Sequence, residues 1–207
     1  FHNYGGCHKT GYAKEYLDAE GKPELTQNGF ANCFAGQNAF KMWYRDTPNI
    51  NRPVHHQLYL WLKDKTTKEY YFTSDNHTTN GAPNVDASGN KLENGYFNPI
   101  NQVGYGVTPG YTRNYSFTSE VRTYFQYQGG EKLTFSGDDD LWVYLNGRLF
   151  VDLGGLHTPL TGTNTLAADT YTGTDSNGNT VTMKYDPKYE VYEGGIYEIS
   201  LFHAERR

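Results

Sequence analysis

The stretch FSGDDDLWVYLNGRLFVDLGGLH, Phe135 to His157, decides the fold. Leu141, Val143 and Leu145 alternate with Trp142 and Tyr144, and Leu149, Val151 and Leu153 resume the alternation beyond Asn146-Gly147. Period-two alternation on both sides of an Asn-Gly pair, which accepts positive φ at both central positions, predicts a hairpin with a two-residue turn. Directly before it stand three consecutive aspartates, Asp138, Asp139 and Asp140. Their mutual repulsion admits two readings, a solvated acidic turn or a bound cation.

Further signals on either side agree with strands. The segment EVRTYFQYQGGEKLTFSG predicts a second hairpin joined at Gly129 and Gly130, with Val121, Thr123, Phe125 and Tyr127 on one face. TYTGTDSNGNTVTMKY predicts a third over SNGN, and VHHQLYLWLKD followed by KEYYFTSD a fourth. FAGQNAFKMWYRDTP offers one short helix ended by Pro48, with Phe40, Trp43 and Tyr44 spaced to pack on a sheet. The Asn- and Gly-rich residues 76–110 read as loops around brief strands. No internal repeat or low-complexity linker divides the chain, so one domain over residues 1–207 is expected.

Composition points the same way. With 19 Tyr, 11 Phe, 3 Trp and 23 Gly in 207 residues, the chain has the aromatic, turn-rich character of strands rather than that of disorder. The expected class is all-β, an antiparallel β-sandwich or barrel with long loops and at most one short helix. A formal net charge of −5 with scattered Lys and Arg provides no basic footprint for nucleic acid. No apolar run approaches the length of a membrane span, so no membrane insertion is expected. The opening FHNYGGCHKTGY lacks a signal peptide's pattern, as in a mature or trimmed chain. The two cysteines, Cys7 and Cys33, match no zinc or thioredoxin spacing. A disulfide between them would stabilise by about 3 to 4 kcal/mol in the loop-entropy model and imply an oxidising compartment. Asn76 and Asn114 head sequons that matter only in a glycosylating host.

In a regular strand Asp138 and Asp140 point one way and Asp139 the other, so adjacent aspartates share one ligand only where the backbone breaks, through a bulge or a cis peptide. A hard divalent cation, calcium, is the natural ligand for such carboxylates. DSNGNT and DASGNK lack the sixth-place Gly and distal Glu of a calcium loop and read as turns. In the closing GGIYEISLFHAERR, Tyr197, Ile199 and Leu201 share a face with His203 and Glu205, whose polar groups need partners. His157 and Arg206 are the candidates, forming either a buried structural network or part of a site near the aspartates. No nucleophile elbow or zinc-protease helix occurs, so no enzyme is expected. Asp139 with Glu205 as a glycosidase carboxylate pair is the weaker reading.

YQGGEKLTFSGDDDLWVYLNGRLFVDLGGLH resembles the signature of the fibro-slime domain, and LFHAERR resembles that family's late strand. GKPELTQNGF, FKMWYRDTPNINRPV and GYFNPI resemble its earlier blocks, so the resemblance covers most of the chain in order. Fibro-slime domains are similar to the wider β-sandwich module named after the anthrax toxin protective antigen, found in yeast flocculins, bacterial adhesins and glycosidases. In its lectin members adjacent aspartates joined by a cis peptide hold calcium, which contacts sugar hydroxyls. Counting back from Asn146-Gly147, the matching pair here is Asp138 and Asp139, with Asp140 entering that role on a one-residue register shift.

The resemblance implies a secreted or cell-surface adhesion module that binds glycan or polysaccharide through calcium. Tyr105, Tyr111 and Trp142 are candidate stacking platforms for sugar rings, with His157 beside the site and His203, Glu205 and Arg206 as its polar network. The alternative is a structural or protein-interaction domain of a surface or matrix protein, in which the aspartates serve the fold and an exposed strand edge pairs with a neighbour. Two departures stand out. The family's pattern continues past the late strand with a Ser-Asn-Phe-type segment, so a domain without its final strand is expected over these residues. The Asp triplet with His and Glu nearby also differs from the flocculin pattern, so sugar binding follows by analogy of fold and motif.

Overall fold

The computed structural model describes residues 10–27, 33–74 and 97–206. In chain order the elements are helix α1 (Gln37–Lys41) and strands β1 (Trp61–Asp64), β2 (Glu69–Tyr71), β3 (Phe117–Gln126), β4 (Lys132–Gly137), β5 (Asp140–Leu145), β6 (Arg148–Leu153), β7 (Leu160–Thr165), β8 (Asp169–Thr174), β9 (Thr180–Asp186), β10 (Val191–Tyr192) and β11 (Ile196–Glu205). All pairing among them is antiparallel, and the fold is all-β with one short helix, as expected. Two compact units emerge, Phe1–Arg45 with Ser116–Arg207, and Asp46–Tyr115.

The first unit is built on a four-stranded sheet in the order β3-β11-β5-β6. Strand β5 is buried along its whole length, so its alternation feeds two cores rather than one core and solvent. Trp142 and Tyr144 join Phe202 under Tyr12, Phe34, Phe40 and Tyr44, an aromatic layer supplied by the N-terminal segment and α1. Leu141, Val143 and Leu145 face the other way into a layer that is aliphatic at its centre and closed by Leu133, Phe135 and Leu166 from around the β4-β7 pair. Helix α1 docks through Phe40, whose ring meets Trp142 edge to face at 5.5 Å.

The Asn146-Gly147 hairpin forms as predicted, with φ of 50° and 78° at the two turn residues. Its register slips between Val143 and Tyr144: Val143 pairs with Val151, but Tyr144 pairs with Leu149. Phe150 is the extra residue of a bulge, so it enters the aliphatic layer beside Val151 while Leu149 packs on the aromatic side. The simple alternation of Leu149, Val151 and Leu153 is corrected accordingly.

The hairpin expected at Gly129-Gly130 is absent. β3 pairs with β11 and β4 with β7, so the two glycines, at φ of 95° and 86°, carry the chain from one sheet to the facing one. Tyr127 continues the β11 pairing through Gly194 and Gly195, and the Glu131 carboxylate accepts the Gln128 and Gly129 N–H groups. A local turn signal was outweighed by partners far along the chain.

β8, β9 and β10 form a separate three-stranded sheet of the same unit. Its β8-β9 hairpin turns at Asp175, whose Oδ1 accepts the Asn177 and Asn179 N–H groups at 2.9 Å each. DSNGNT is thus a turn as expected. In the second unit β1 and β2 form the expected hairpin, the described residues 97–110 contain turns and no strand, and Asn114 is buried with its N–H donated to Asn101 Oδ1 at 2.8 Å. That burial removes Asn114 as a glycan acceptor. Cys7, Asn76 and DASGNK lie outside the described residues.

Candidate functional site

The aspartates sit where β4 ends and β5 begins, and the backbone does break there, by a route other than the two expected. Among the described residues no peptide bond is cis; instead Asp139 adopts a left-handed conformation at φ 50°. Aspartate tolerates that region better than most residues. The twist brings two neighbouring carboxylates onto one group, and that group is Arg206. Asp139 Oδ2 accepts the Arg206 backbone N–H at 2.8 Å, and Asp140 Oδ2 lies 2.6 Å from Arg206 Nε. Asp138 is exposed.

Side-chain exposure of the Asp140–Arg206 pair is 0% and 1%, so the ion pair is sealed from water. Asp140 Oδ1 accepts the Gly155 N–H from the DLGG segment. The guanidinium is held by three further contacts: Nη1 donates to Cys33 O at 2.7 Å, and its carbon lies 4.9 Å from the Phe34 ring centre and 5.5 Å from that of Trp43. A planar, weakly hydrated cation between aromatic rings is the chemistry for which arginine is suited and lysine is not.

Burial dominates the protonation states. Desolvation pushes Asp140 up to about 6, against the opposing pull of Arg206 and the Gly155 hydrogen bond. Asp139 is raised for the same reason, with Arg206 pulling it down and Asp138 pushing it up. His203 is buried beside Phe117, at 5.9 Å between rings, and burial pushes it down to about 4 despite a hydrogen bond to the Asp138 backbone. It is neutral at physiological pH. His157, half-buried, contacts the Thr158 and Leu153 carbonyls and is near enough to Asp139 to lower its carboxyl.

The residues singled out from the sequence therefore separate into groups. Asp139, Asp140, His157, His203 and Arg206 converge, and Glu205 lies on β11 opposite Phe117, one residue from the pair. Trp142 is fully buried in the aromatic layer, so it offers no face to a ligand in solvent. Its Nε1 donates to Asp152 Oδ1 at 3.0 Å. Tyr105 and Tyr111 belong to the second unit and are exposed; Tyr105 Oη donates to Ile50 O at 3.4 Å, and Tyr111 meets Tyr115 edge to face. Cys33 is buried with its Sγ 3.3 Å from Tyr12 Oη.

Asp152 escaped the sequence reading. Its carboxylate also accepts the Gly11 N–H, joining the N-terminal segment to β6, and burial raises its pKa. The signal was available, since an aspartate stands between Val151 and Leu153 in an otherwise apolar run. As a calcium cage the cluster is poorly provisioned. No group of three or more His, Cys, Asp or Glu among the described residues is arranged to hold a metal ion, and both Asp140 oxygens are engaged within the protein. The Arg206 guanidinium balances the Asp140 carboxylate, one of the three charges of the triplet.

Comparison with known proteins gives relatives from Dictyostelium discoideum. The chain is 34% identical to protein psiJ over 122 residues, 59% of this chain and 16% of psiJ. It is 30% identical to protein psiC over 165 residues, 80% of this chain and 28% of psiC, and 43% identical to protein psiH over 119 residues, 54% of this chain and 14% of psiH. The chain spans less than a third of the length of these relatives. No family model matches it, and no solved structure matches it.

Proposed function

We propose that this chain is a non-catalytic recognition module, of the fibro-slime type its motifs resemble, within a larger secreted or surface protein, and that its aspartate cluster is structural. The observation that carries the structural role is the sealed Asp140–Arg206 pair, in which the chain supplies its own cation. Asp140 cannot serve as a catalytic acid, because its oxygens are engaged and closed off from solvent. The short share of each relative supports a module of a longer chain. Pairing of Cys33 with Cys7 belongs to the same proposal and to the oxidising setting it needs.

A second reading keeps calcium and glycan at the mouth of the cluster. The exposed Asp138 carboxylate favours it, as does Asp139 Oδ1, which carries no hydrogen bond among the described residues. Calorimetric calcium titration with parallel melting in EDTA separates the two. The structural reading expects no saturable heat and an unchanged melting temperature. Saturable binding abolished by Asp138→Asn and by Asp139→Asn would replace it with the calcium reading.

A further inference from the structure

The β8-β9-β10 sheet carries an aromatic cluster apart from the aspartates. Its register sets Tyr192 beside Tyr185, and Tyr185 beside Asp169, in one row across the three strands. Tyr171, two residues along β8 from Asp169, lies on the same face. Tyr185 and Tyr192 stack at 4.4 Å and 22°, and Tyr171 meets them edge to face at 6.1 and 5.6 Å. Gly173 makes room for this: a Cβ there would stand 2.6 Å from Tyr171 Oη, so the Tyr171 side chain lies along its own strand over the glycine. Tyr171 stays 41% exposed and Tyr192 37%, although both rings have aromatic neighbours.

The surroundings narrow the partner. Asp169 flanks Tyr185 in the register, and Glu190 and Asp186 act on the Tyr185 phenol. The neighbouring Lys184 is on the opposite face, with its Nζ donated to Gln128 O. Base stacking also uses aromatic platforms, but it needs cations for the phosphates, and carboxylates repel them. Three side chains cover far less than the roughly 800 Å² per partner of a stable protein interface. A neutral ligand with an apolar face and a rim of hydroxyls matches what remains: rings beneath, phenols and carboxylates at the edge.

We propose that Tyr171, Tyr185 and Tyr192 form a metal-independent stacking platform for a neutral oligosaccharide whose pyranose rings carry equatorial hydroxyls. Such rings present flat C–H faces to an aromatic surface and direct their hydroxyls outward to acceptors such as Asp169. The platform rests on the reading of the chain as a recognition module but uses a surface other than the aspartate cluster. The binding assay therefore fails or succeeds independently of the calcium and melting tests.

The experiment is native affinity electrophoresis of the whole chain through gels containing hydroxyethylcellulose, laminarin or mannan, with and without EDTA. Retardation by hydroxyethylcellulose or laminarin, whose ring hydroxyls are equatorial, is expected, unchanged by EDTA and stronger than that by mannan, whose C2 hydroxyl is axial. Tyr171→Ala and Tyr192→Ala should each weaken it by roughly tenfold, the scale of losing one aromatic stack, while Tyr192→Phe keeps most of it. Should the alanine variants fail to fold, nitration of the unaltered chain by tetranitromethane, mapped by mass spectrometry, reads the same contact. Tyr171 and Tyr192 should be protected by the retarding polysaccharide. No retardation by either glucan, retardation that survives both alanine substitutions, loss in EDTA, or nitration unaffected by the polysaccharide would each overturn the proposal.

Discussion

The two faces of the central sheet each carry a buried core, and the two cores differ in the charge they hold. The β4-β7 side has an aliphatic centre, Leu141, Val143, Leu145 and Val151, with Tyr127, Phe150 and Tyr189 around it. The opposite side is aromatic, with Trp142, Tyr144 and Phe202 under Phe34 and Phe40. Asp140, Asp152 and Arg206 belong to the aromatic side, the cation between ring faces and Asp152 on an indole N–H, whereas the buried Asp186, paired with Val191 of the other core, is held by the Ala167, Lys188 and Tyr189 N–H groups. The aliphatic centre around Leu141 and Val143 offers neither quadrupole nor donor, so an ion there would meet the full desolvation penalty. A strand buried on both sides can therefore divide its labour, with one face for packing and the other for a polar keystone.

The difference can be broken most severely at Arg206. Arg206→Met should cost about 3 to 5 kcal/mol in urea unfolding at neutral pH, because it leaves Asp140 buried without its cation, so that folding must either bury the bare charge or protonate the carboxyl. The cost should shrink below pH 5, where Asp140 takes up a proton. On the aliphatic face Leu141→Ala should cost about 2 to 4 kcal/mol through lost burial and a cavity. That cost should change little between pH 7 and pH 5, since His203, the cross-strand partner of Leu141, stays neutral down to about 4.

A pH series sharpens the contrast. The folded pKa of Asp140, about 6, lies above its ordinary 3.8, so its contribution to stability rises as pH falls from above 6 toward 4. Asp139 and Asp152, also raised by burial, act in the same direction. His203 acts in reverse: lowered from 6.5 to about 4, its neutral form gives stability that is full above pH 6.5 and lost as pH falls toward 4. Asp140→Asn should therefore steepen the acid-side loss between pH 6 and 4, by up to about 1.4 kcal/mol per pH unit, and His203→Gln should flatten it. The smallest expected effect is that of calcium, whose removal should leave the melting temperature where it was.

Much of this was legible in the chain. Asn146-Gly147 specified its hairpin because both turn residues must adopt positive φ, and few pairs do so at low cost. His203 and Glu205 stood out as polar residues interrupting apolar alternation, with His157 and Arg206 as candidate partners, but the Asp140–Arg206 pair did not. Illegible were features set by distant partners. Gly129-Gly130 has the look of a reversal, yet β3 finds β11 some seventy residues on, so the glycines bridge two sheets instead. The Phe150 bulge exchanges two neighbours between layers without a local signal. At the site, the sequence required a backbone break but could not choose between a cis bond, a bulge and the left-handed residue that Asp139 supplies. Nor could it tell whether the charge beside Asp140 would be that of a metal or, as in the structure, of an arginine from the end of β11.

That last choice is tested most directly by a double-mutant cycle in urea at neutral pH, with Asp140→Asn, Arg206→Met and the two combined. If Arg206 is the internal cation of the aspartates, the double variant should recover much of the loss of Arg206→Met, with a coupling energy of about 2 kcal/mol or more. Additive losses, with no recovery in the double variant, would contradict the account.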